Sequence, residues 1–303
     1  MKYLLLTKYT IIPDIHADFF RLKWSIKCAY DSPIIFLGDL IDAGKNLVEP
    51  NDRHVLETVK DLISNQKAEC ILGNHELNAI LFHRNFSTTN KPLRSHNNAH
   101  IMQHKSFTDQ IGVKTSEAIY WTDWMLDTLP LWIEHENFRV VHACWSQKAV
   151  DIVKQRRPNG YLHRDDLEEI ANKETDFAHA VELLTSGPEV HLPKDFSFID
   201  SREKERFSVR IAWWNSENAT WRDAALSVPN VDDLPEHELP NDIKNEIYPK
   251  AAKPVFVGHY KMQGTPKIQS DNAVSLDFPN TPCVYKWNGE SVLNNSNIDI
   301  KDT

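Results

Sequence analysis

An α/β fold is what this sequence predicts, and three observations predict it. First, short apolar runs recur: Ile11-Ile12, Ile34-Ile35-Phe36-Leu37, Ile71-Leu72, Val140-Val141 and Val255-Phe256-Val257. Each reads as a buried strand. Second, each run leads into a polar motif: Asp14-Ile15-His16, Gly38-Asp39-Leu40-Ile41-Asp42, Gly73-Asn74-His75-Glu76, Val141-His142-Ala143 and Gly258-His259-Tyr260. Third, the first third of the chain alternates such runs with helical stretches. That alternation implies right-handed crossovers and a mainly parallel sheet in this half. The polar motifs run from Asp14 to His259 and must converge, so residues 1–303 are expected to form a single domain.

The elements follow in order. A strand ends at Asp14, and a helix carrying Phe19, Phe20, Leu22 and Ile26 comes next. The second strand ends at Asp39, a helix covers roughly 55–64, and the third strand ends at Asn74. Residues 83–128 are polar and rich in His and Asn, then helical, and are expected to form a helical insertion or lid. Leu131 to Val141 returns to strands. Residues 147–190 read as helical, with Ala180, Val181, Leu183 and Leu184 on an apolar face. Phe196 to Ile199 and Phe207 to Ala212 read as two strands joined by the charged turn 201–206. Residues 226–253, rich in Pro, Asp, Asn and Glu, read as a surface loop. Three last strands are expected at Val255 to Val257, Ala273 to Leu276 and Cys283 to Trp287. The polar tail after Leu293 is expected to fray. No internal repeat is present.

Composition narrows the classes. Acidic residues exceed basic ones by 43 to 34, a net charge of −9. That argues against a general nucleic-acid binder or a binder of anionic membranes. Cys28, Cys70, Cys144 and Cys283 are scattered with no C-x-x-C, which fits free thiols and a cytoplasmic protein. The start, Met1 to Leu6, is not read as a signal peptide. Lys8 interrupts the apolar run, and no small-residue cleavage site follows. No run reaches the ~20 apolar residues of a membrane span.

A buried strand ending on Asp, His or Asn delivers that residue to the edge of the sheet, where α/β folds place their sites. Five such deliveries make a metal site the first reading. Carboxylate, amide and imidazole donors without thiolate suit manganese first, with iron or zinc also fitting. Taken singly, each motif has a plainer explanation. An Asp before a helix can be an N-cap, and Gly-Asp and Gly-Asn are common turns. Their joint occurrence in order carries the argument.

The order D-x-H, G-D-x-x-D, G-N-H-E, H, G-H resembles the calcineurin-like metallophosphoesterase superfamily. It is most similar to the serine/threonine phosphoprotein phosphatase branch and its bacterial relatives, among them the symmetrical diadenosine tetraphosphatases. It also resembles uncharacterised bacterial metallophosphoesterases of about this length, which share Leu129 to Trp132, Val141 to Trp145, Trp213-Trp214 and Gly258 to Tyr260, so that the likeness spans nearly the whole chain. The resemblance implies a four-layer α-β-β-α sandwich of two facing mixed sheets. It implies two divalent metal ions. Asp14 and His16 would bind one, Asp39 would bridge both, and Asn74, His142 and His259 would bind the second. A hydroxide held between two such ions can attack phosphorus in line. The resemblance also implies that Asp42 orients His75, which protonates the leaving group. Glu76 is read as a helix first-turn residue favoured by the helix dipole.

The chain departs from that pattern at Pro13, Ala17, Ala43 and Ala143-Cys144. Ala43 stands where the phosphatases place an Arg that grips phosphate with a planar fork. Arg84, Arg94, Arg139 and Arg210 are candidate replacements. Arg94 is preferred, because it sits in the insertion beside His96. Both are expected to contact substrate, together with Lys261. His96, His100 and His104 are spaced i, i+4, i+8, which on one helix would make a shared face able to bind zinc. Trp213-Trp214 invites comparison with a base-stacking pair, although packing in the core is the plainer reading.

The expected function is hydrolysis of phosphomonoesters on a phosphorylated substrate, with His75 as general acid. A dinucleoside-polyphosphate hydrolase or a nucleic-acid phosphatase or phosphodiesterase is the enzymatic alternative. A phosphate-ligand binding protein on a degenerate phosphatase fold is the alternative outside catalysis. It is disfavoured because all six ligand positions are filled.

Overall fold

The computed structural model describes residues 8–44, 46–200, 203–214, 220–244 and 247–301. The apolar start at Met1 to Leu6 and the first two residues of the 201–206 turn lie outside the described residues. The first third alternates as expected: β1 (Tyr9–Ile12), α1 (Phe19–Ala29), β2 (Ile34–Phe36), α2 (Asp52–Ser64), β3 (Ala68–Cys70) and α3 (Asn74–Phe82). Side-chain caps set the starts of the first two helices. Asp18 accepts from Arg21 N–H at 2.8 Å, and Asn51 accepts from His54 N–H. Residues 83–128 carry α4 (Asn98–Gln103), α5 (Lys105–Ile111) and α6 (Ser116–Thr128). Then follow β4 (Trp132–Glu134), β5 (Arg139–Val141), α7 (Gln147–Arg156), α8 (Leu167–Asn172) and α9 (Asp176–Ser186). The remaining third holds β6 (Glu189–His191), β7 (Phe198–Ile199), β8 (Glu205–Arg206), β9 (Ser208–Ile211), α10 (Trp221–Ala224) and β10 (Ala225–Leu226). It closes with α11 (Asn241–Lys244), β11 (Val255–Val257), β12 (Ala273–Ser275), β13 (Cys283–Trp287) and β14 (Ile298–Ile300).

Two mixed sheets carry the fold. One runs β14-β13-β1-β2-β3, with β1, β2 and β3 parallel and β13 antiparallel to both neighbours. The other runs β12-β11-β5-β4, with β12, β11 and β5 parallel and β4 antiparallel. Strand periodicity sorts their side chains into two compartments. Ile11, Ile35, Leu37, Val140, Phe256 and Val274 pack together between the sheets. Ile12, Phe36, Val141, Val255 and Val257 point the opposite way, into the helix-facing core. The result is the four-layer α-β-β-α sandwich.

Three local expectations need correction. The third strand is Ala68–Cys70; Ile71 and Leu72 lie beyond it, with Leu72 N–H bonded to Pro130 O at 2.8 Å. The hairpin expected between 196–199 and 207–212 is divided. β7 pairs β8, whereas β9 pairs β6 and β10, so β6 and β10 fall in segments expected as helix and loop. The tail does not fray at Ile298–Ile300, which pairs with β13. Asn297 Nδ2 donates to Glu290, and Tyr285 OH accepts from Asn294 N–H, so side-chain bonds anchor this polar segment. The plainer reading of Trp213 and Trp214 holds: they lie just beyond β9, and both are buried. Trp213 Nε1 donates to Ala143 O and Tyr260 OH, so the pair is packing behind the site.

Candidate metal centre

Sheet topology alone brings the polar motifs to one edge. Asp14 follows β1, Asp39 follows β2, Asn74 opens α3, His142 follows β5 and His259 follows β11. These are C-terminal ends of parallel strands taken from both sheets. Five non-glycine residues in these turns have left-handed backbone: His16 (φ 49°), Ala17 (59°), Asp39 (49°), Asp42 (66°) and His259 (63°). Non-glycine residues rarely hold that conformation, and such strain collects at functional sites. Hydrogen bonds hold it here. Asp39 O accepts from Ile15 N–H and His16 N–H at 3.0 and 2.9 Å. The buried Glu76 carboxylate accepts from the N–H groups of Asp39 (2.8 Å), Leu40 (2.7 Å), Ile41 (3.3 Å) and Gly73 (3.1 Å). Its role is therefore to clamp the Asp39 turn, well beyond favouring a helix dipole. Close approach explains two glycines. A Cβ on Gly73 would lie 2.3 Å from Asp39 Oδ1, and one on Gly258 would lie 1.9 Å from Asp14 Oδ1.

The residues expected as ligands are brought together. Asn74 Oδ1 stands 3.1 Å from His142 Nε2 and 2.8 Å from His259 Nδ1, and His142 Nε2 is 3.3 Å from Asp39 Oδ1. His142 Nδ1 donates to Leu37 O at 2.6 Å, which leaves Nε2 facing the group. His16 Nε2 lies 4.0 Å from carboxylate oxygens of both Asp14 and Asp39. Ligand atoms within 4.8 Å of one another define three groups: Asp39, His142 and His259; Asp14, His16 and Asp277; and His16, Asp39 and His75. Asp277 escaped the sequence reading, although Leu276-Asp277 repeats the strand-end pattern after β12. It is fully buried, and neither of its carboxylate oxygens has a hydrogen-bond partner among the described residues.

The electrostatics fit a cation. Burial, then the Asp277 charge, pushes Asp14 well above the carboxylate range. Burial raises Asp277 to about 6. Asp39 is held low because neighbouring imidazoles, His142 first, outweigh its burial. Burial would lower His142, yet the Asp39 charge and hydrogen bond bring it to about 10. His16 falls to about 4, through burial and the His75 charge, and so stands neutral with Nε2 available. Buried carboxylates raised by a neighbouring carboxylate, beside an imidazole held neutral at His16, are what divalent ions relieve and bind.

His75 and Asp42 form a separate pair beside this group. His75 Nδ1 lies 2.8 Å from Asp42 Oδ2, and His75 Nε2 lies 3.9 Å from Asp39 Oδ2. Burial would lower His75, but the Asp39 charge and the Asp42 bond raise it to about 9. The same Asp42 Oδ2 takes His104 Nδ1 at 2.7 Å. No spacing in the sequence pointed to that contact.

A cavity of about 780 Å³ opens onto the group and is lined by His16, Asp39, Asn74, His75 and His259, with Arg210 and Lys261 on its wall. Neither cation makes a hydrogen bond or salt bridge among the described residues. A second cavity of about 460 Å³ shares only Asn74 with the first and carries Arg94 and His100. Arg94 Nη2 donates to Gln103 at 2.8 Å. His96 lies outside both walls, stacked on Phe82 at 3.8 Å, with Nε2 2.9 Å from Phe82 O. Arg84 pairs with Asp123, and Arg139 with Glu134. The three spaced histidines share no face. His96 precedes α4, His100 bonds Ser95, and His104 sits buried at the junction of α4 and α5.

The chain is similar to known proteins in family and in fold. A family model described as calcineurin-like phosphoesterase matches residues 7–187. Among solved structures, a point mutant of a cold-active protein tyrosine phosphatase aligns at 12% identity with a TM-score of 0.52, covering 93% of this chain and 75% of that one. Another structure of a cold-active protein tyrosine phosphatase aligns at 12% identity and TM-score 0.51, covering 97% and 81%. No curated protein sequence matches the chain.

Proposed function

The chain belongs to the calcineurin-like phosphoesterase family, and from that premise we propose that it is a metal-dependent hydrolase of phosphomonoesters. The observation that carries this reading is the convergence of Asp14, His16, Asp39, Asn74, His142 and His259 on one group, at a cleft lined by His16, Asp39, Asn74, His259 and His75. We assign Asp14 and His16, with Asp277 beside them, to one ion. Asn74, His142 and His259 go to a second, and Asp39 lies between. Manganese suits this oxygen- and nitrogen-rich set, and iron or zinc also fits it. Bound divalent ions would supply Lewis acidity and a water of lowered pKa.

The chain's own residues supply the rest. Asp42, as a carboxylate, accepts from His75 Nδ1–H and so fixes the ring. The proton on Nε2 then faces the cleft, and His75 gives it to the departing oxygen. Arg210 and Lys261 bring positive charge to the same cleft, where outward phosphoryl oxygens need donors. They take the place of the Arg absent at Ala43. Arg94 is the alternative grip, on the wall of the neighbouring cavity that Asn74 also lines. The lack of a disulfide among the described residues is in keeping with a cytoplasmic enzyme.

The reading is tested with Mn-loaded protein on phenyl phosphate, dinitrophenyl phosphate, a phosphopeptide, diadenosine tetraphosphate and a bis-aryl phosphate. Monoesters should be turned over fastest. His75→Ala should lose ~10²–10⁴ on phenyl phosphate, the range for general acid catalysis, and far less on dinitrophenyl phosphate, whose leaving group needs no proton. Equal losses on the two would make His75 structural. Preference for the dinucleotide or the diester would replace the monoesterase reading.

A further inference from the structure

The Asp42 turn is gripped by one short stretch of the 83–128 segment. His104 Nδ1 lies 2.7 Å from Asp42 Oδ2, the oxygen that also takes His75 Nδ1 at 2.8 Å. Two residues on, Ser106 Oγ accepts from Ala43 N–H at 2.8 Å. Asp42 N–H donates to Asp52 Oδ1 at 2.8 Å, and Gln110 Nε2 in turn donates to Asp52 Oδ2 at 3.1 Å. Asp42 itself holds φ 66°, a backbone that reverts unless its surroundings enforce it. His104 and Asp42 are both buried, so no water competes for their bond. An ionised carboxylate only accepts, so both imidazoles present Nδ1–H to it.

Two donors on one oxygen define where that oxygen stands. A carboxylate tied to His75 alone could swing about its χ2 torsion and carry the ring with it. His104 removes that freedom from behind. We infer that His104 is a positioning residue: it locks Asp42 so that Asp42 can hold His75 in line with the leaving group. On this account α4 and α5 complete the proton donor, through a residue that never touches substrate. The inference rests on the reading of His75 as general acid.

The test uses His104→Asn, His104→Gln and His104→Leu in the full chain, loaded with Mn, on phenyl and dinitrophenyl phosphate. An Asn amide nitrogen stands where imidazole Nδ1 stands; a Gln amide reaches the Nε2 position instead. His104→Gln and His104→Leu should lose about tenfold or more in kcat on phenyl phosphate, part of the ~10²–10⁴ carried by the acid itself. They should lose less than about threefold on dinitrophenyl phosphate, with KM little changed. His104→Asn should recover most of the loss. Combining His104→Leu with Asp42→Asn should cost no more than Asp42→Asn alone, because His104 acts only through Asp42. If His104→Leu fails to fold, the Asn and Gln pair decides. Equal losses on both substrates, no loss on either, or Asn behaving as Gln would overturn the inference. His75→Ala run alongside separates the two levels. If it is selective for phenyl phosphate and the His104 variants are not, only the role of His104 falls. If it is not selective, the general-acid reading falls and takes this one with it.

Discussion

Arg210 and Lys261 line the cleft and make no salt bridge among the described residues, although the Lys261 charge is felt by Asp277, whereas Arg94 spends one nitrogen on Gln103 and lines the neighbouring cavity. Arg210→Ala should therefore lower kcat/KM by at least about tenfold, or ~1.4 kcal/mol, without loss of stability. Arg94→Ala should cost less. The reverse ranking in steady-state kinetics would put the phosphate against α4 instead of β9. A second prediction concerns His83, the residue closing α3. Burial, then the His104 charge, holds it at about 4. An unfolded histidine titrates near 6.5. As pH falls below 6.5, the unfolded chain takes up a proton that the folded chain refuses, so stability declines until about pH 4 and is level below it. Above 6.5 the residue contributes nothing. The shift corresponds to roughly 3 kcal/mol across that window. His83 Nδ1 accepts from Lys114 N–H at 3.0 Å, and Asn can keep that acceptor without titrating. Urea unfolding of His83→Asn should show a shallower decline between pH 6.5 and 4. Parallel pH profiles for variant and parent would contradict it.

At the scale of elements, the helices of 83–128 belong to the core as much as to the site. Phe107 and Ile111 of α5, and Ala118, Met125 and Leu126 of α6, pack with Leu56, Val59 and Ile80. Phe107→Ala should therefore cost about 3–5 kcal/mol in denaturant unfolding, as for other buried aromatics. A loss under about 1 kcal/mol would mean that α5 is a detachable lid. The strands and the ligand motifs were legible because burial and chemistry coincide there: an apolar run ends on Asp, His or Asn. His104 was not legible, because its partner Asp42 lies 62 residues away and nothing local marks the pairing. Asp277 was missed for the opposite reason. Its strand-end pattern was visible after Ala273–Ser275, but the resemblance supplied a ligand set without it. β14 was lost because polar composition hid the alternation of Ile298 and Ile300, and its stability comes from side-chain bonds to Tyr285 and Glu290. The left-handed turns at His16, Ala17, Asp39, Asp42 and His259 leave no compositional trace, since none of the five is glycine.

For the whole molecule, the site is the place where the two sheets must agree. Asp14 and Asp39 come from one sheet, His142 and His259 from the other, and His259 N–H donates to Asp14 across them. Ions bound there would tie the sheets together and stabilise the folded state by mass action. Metal binding, folding and hydrolysis should thus rise together, and the charge of Asp14, Asp39 and Asp277 sets the demand. The direct measurement is titration of metal-free protein with Mn, read by calorimetry, thermal melting and phosphatase activity on one preparation. The account predicts binding of about two ions per chain, a rise in Tm with each, and full activity only when both are bound. Asp39→Asn should impair both sites, and Asp277→Asn should weaken one of them. A folded protein that binds no Mn, or that reaches full activity with a single ion, would contradict it.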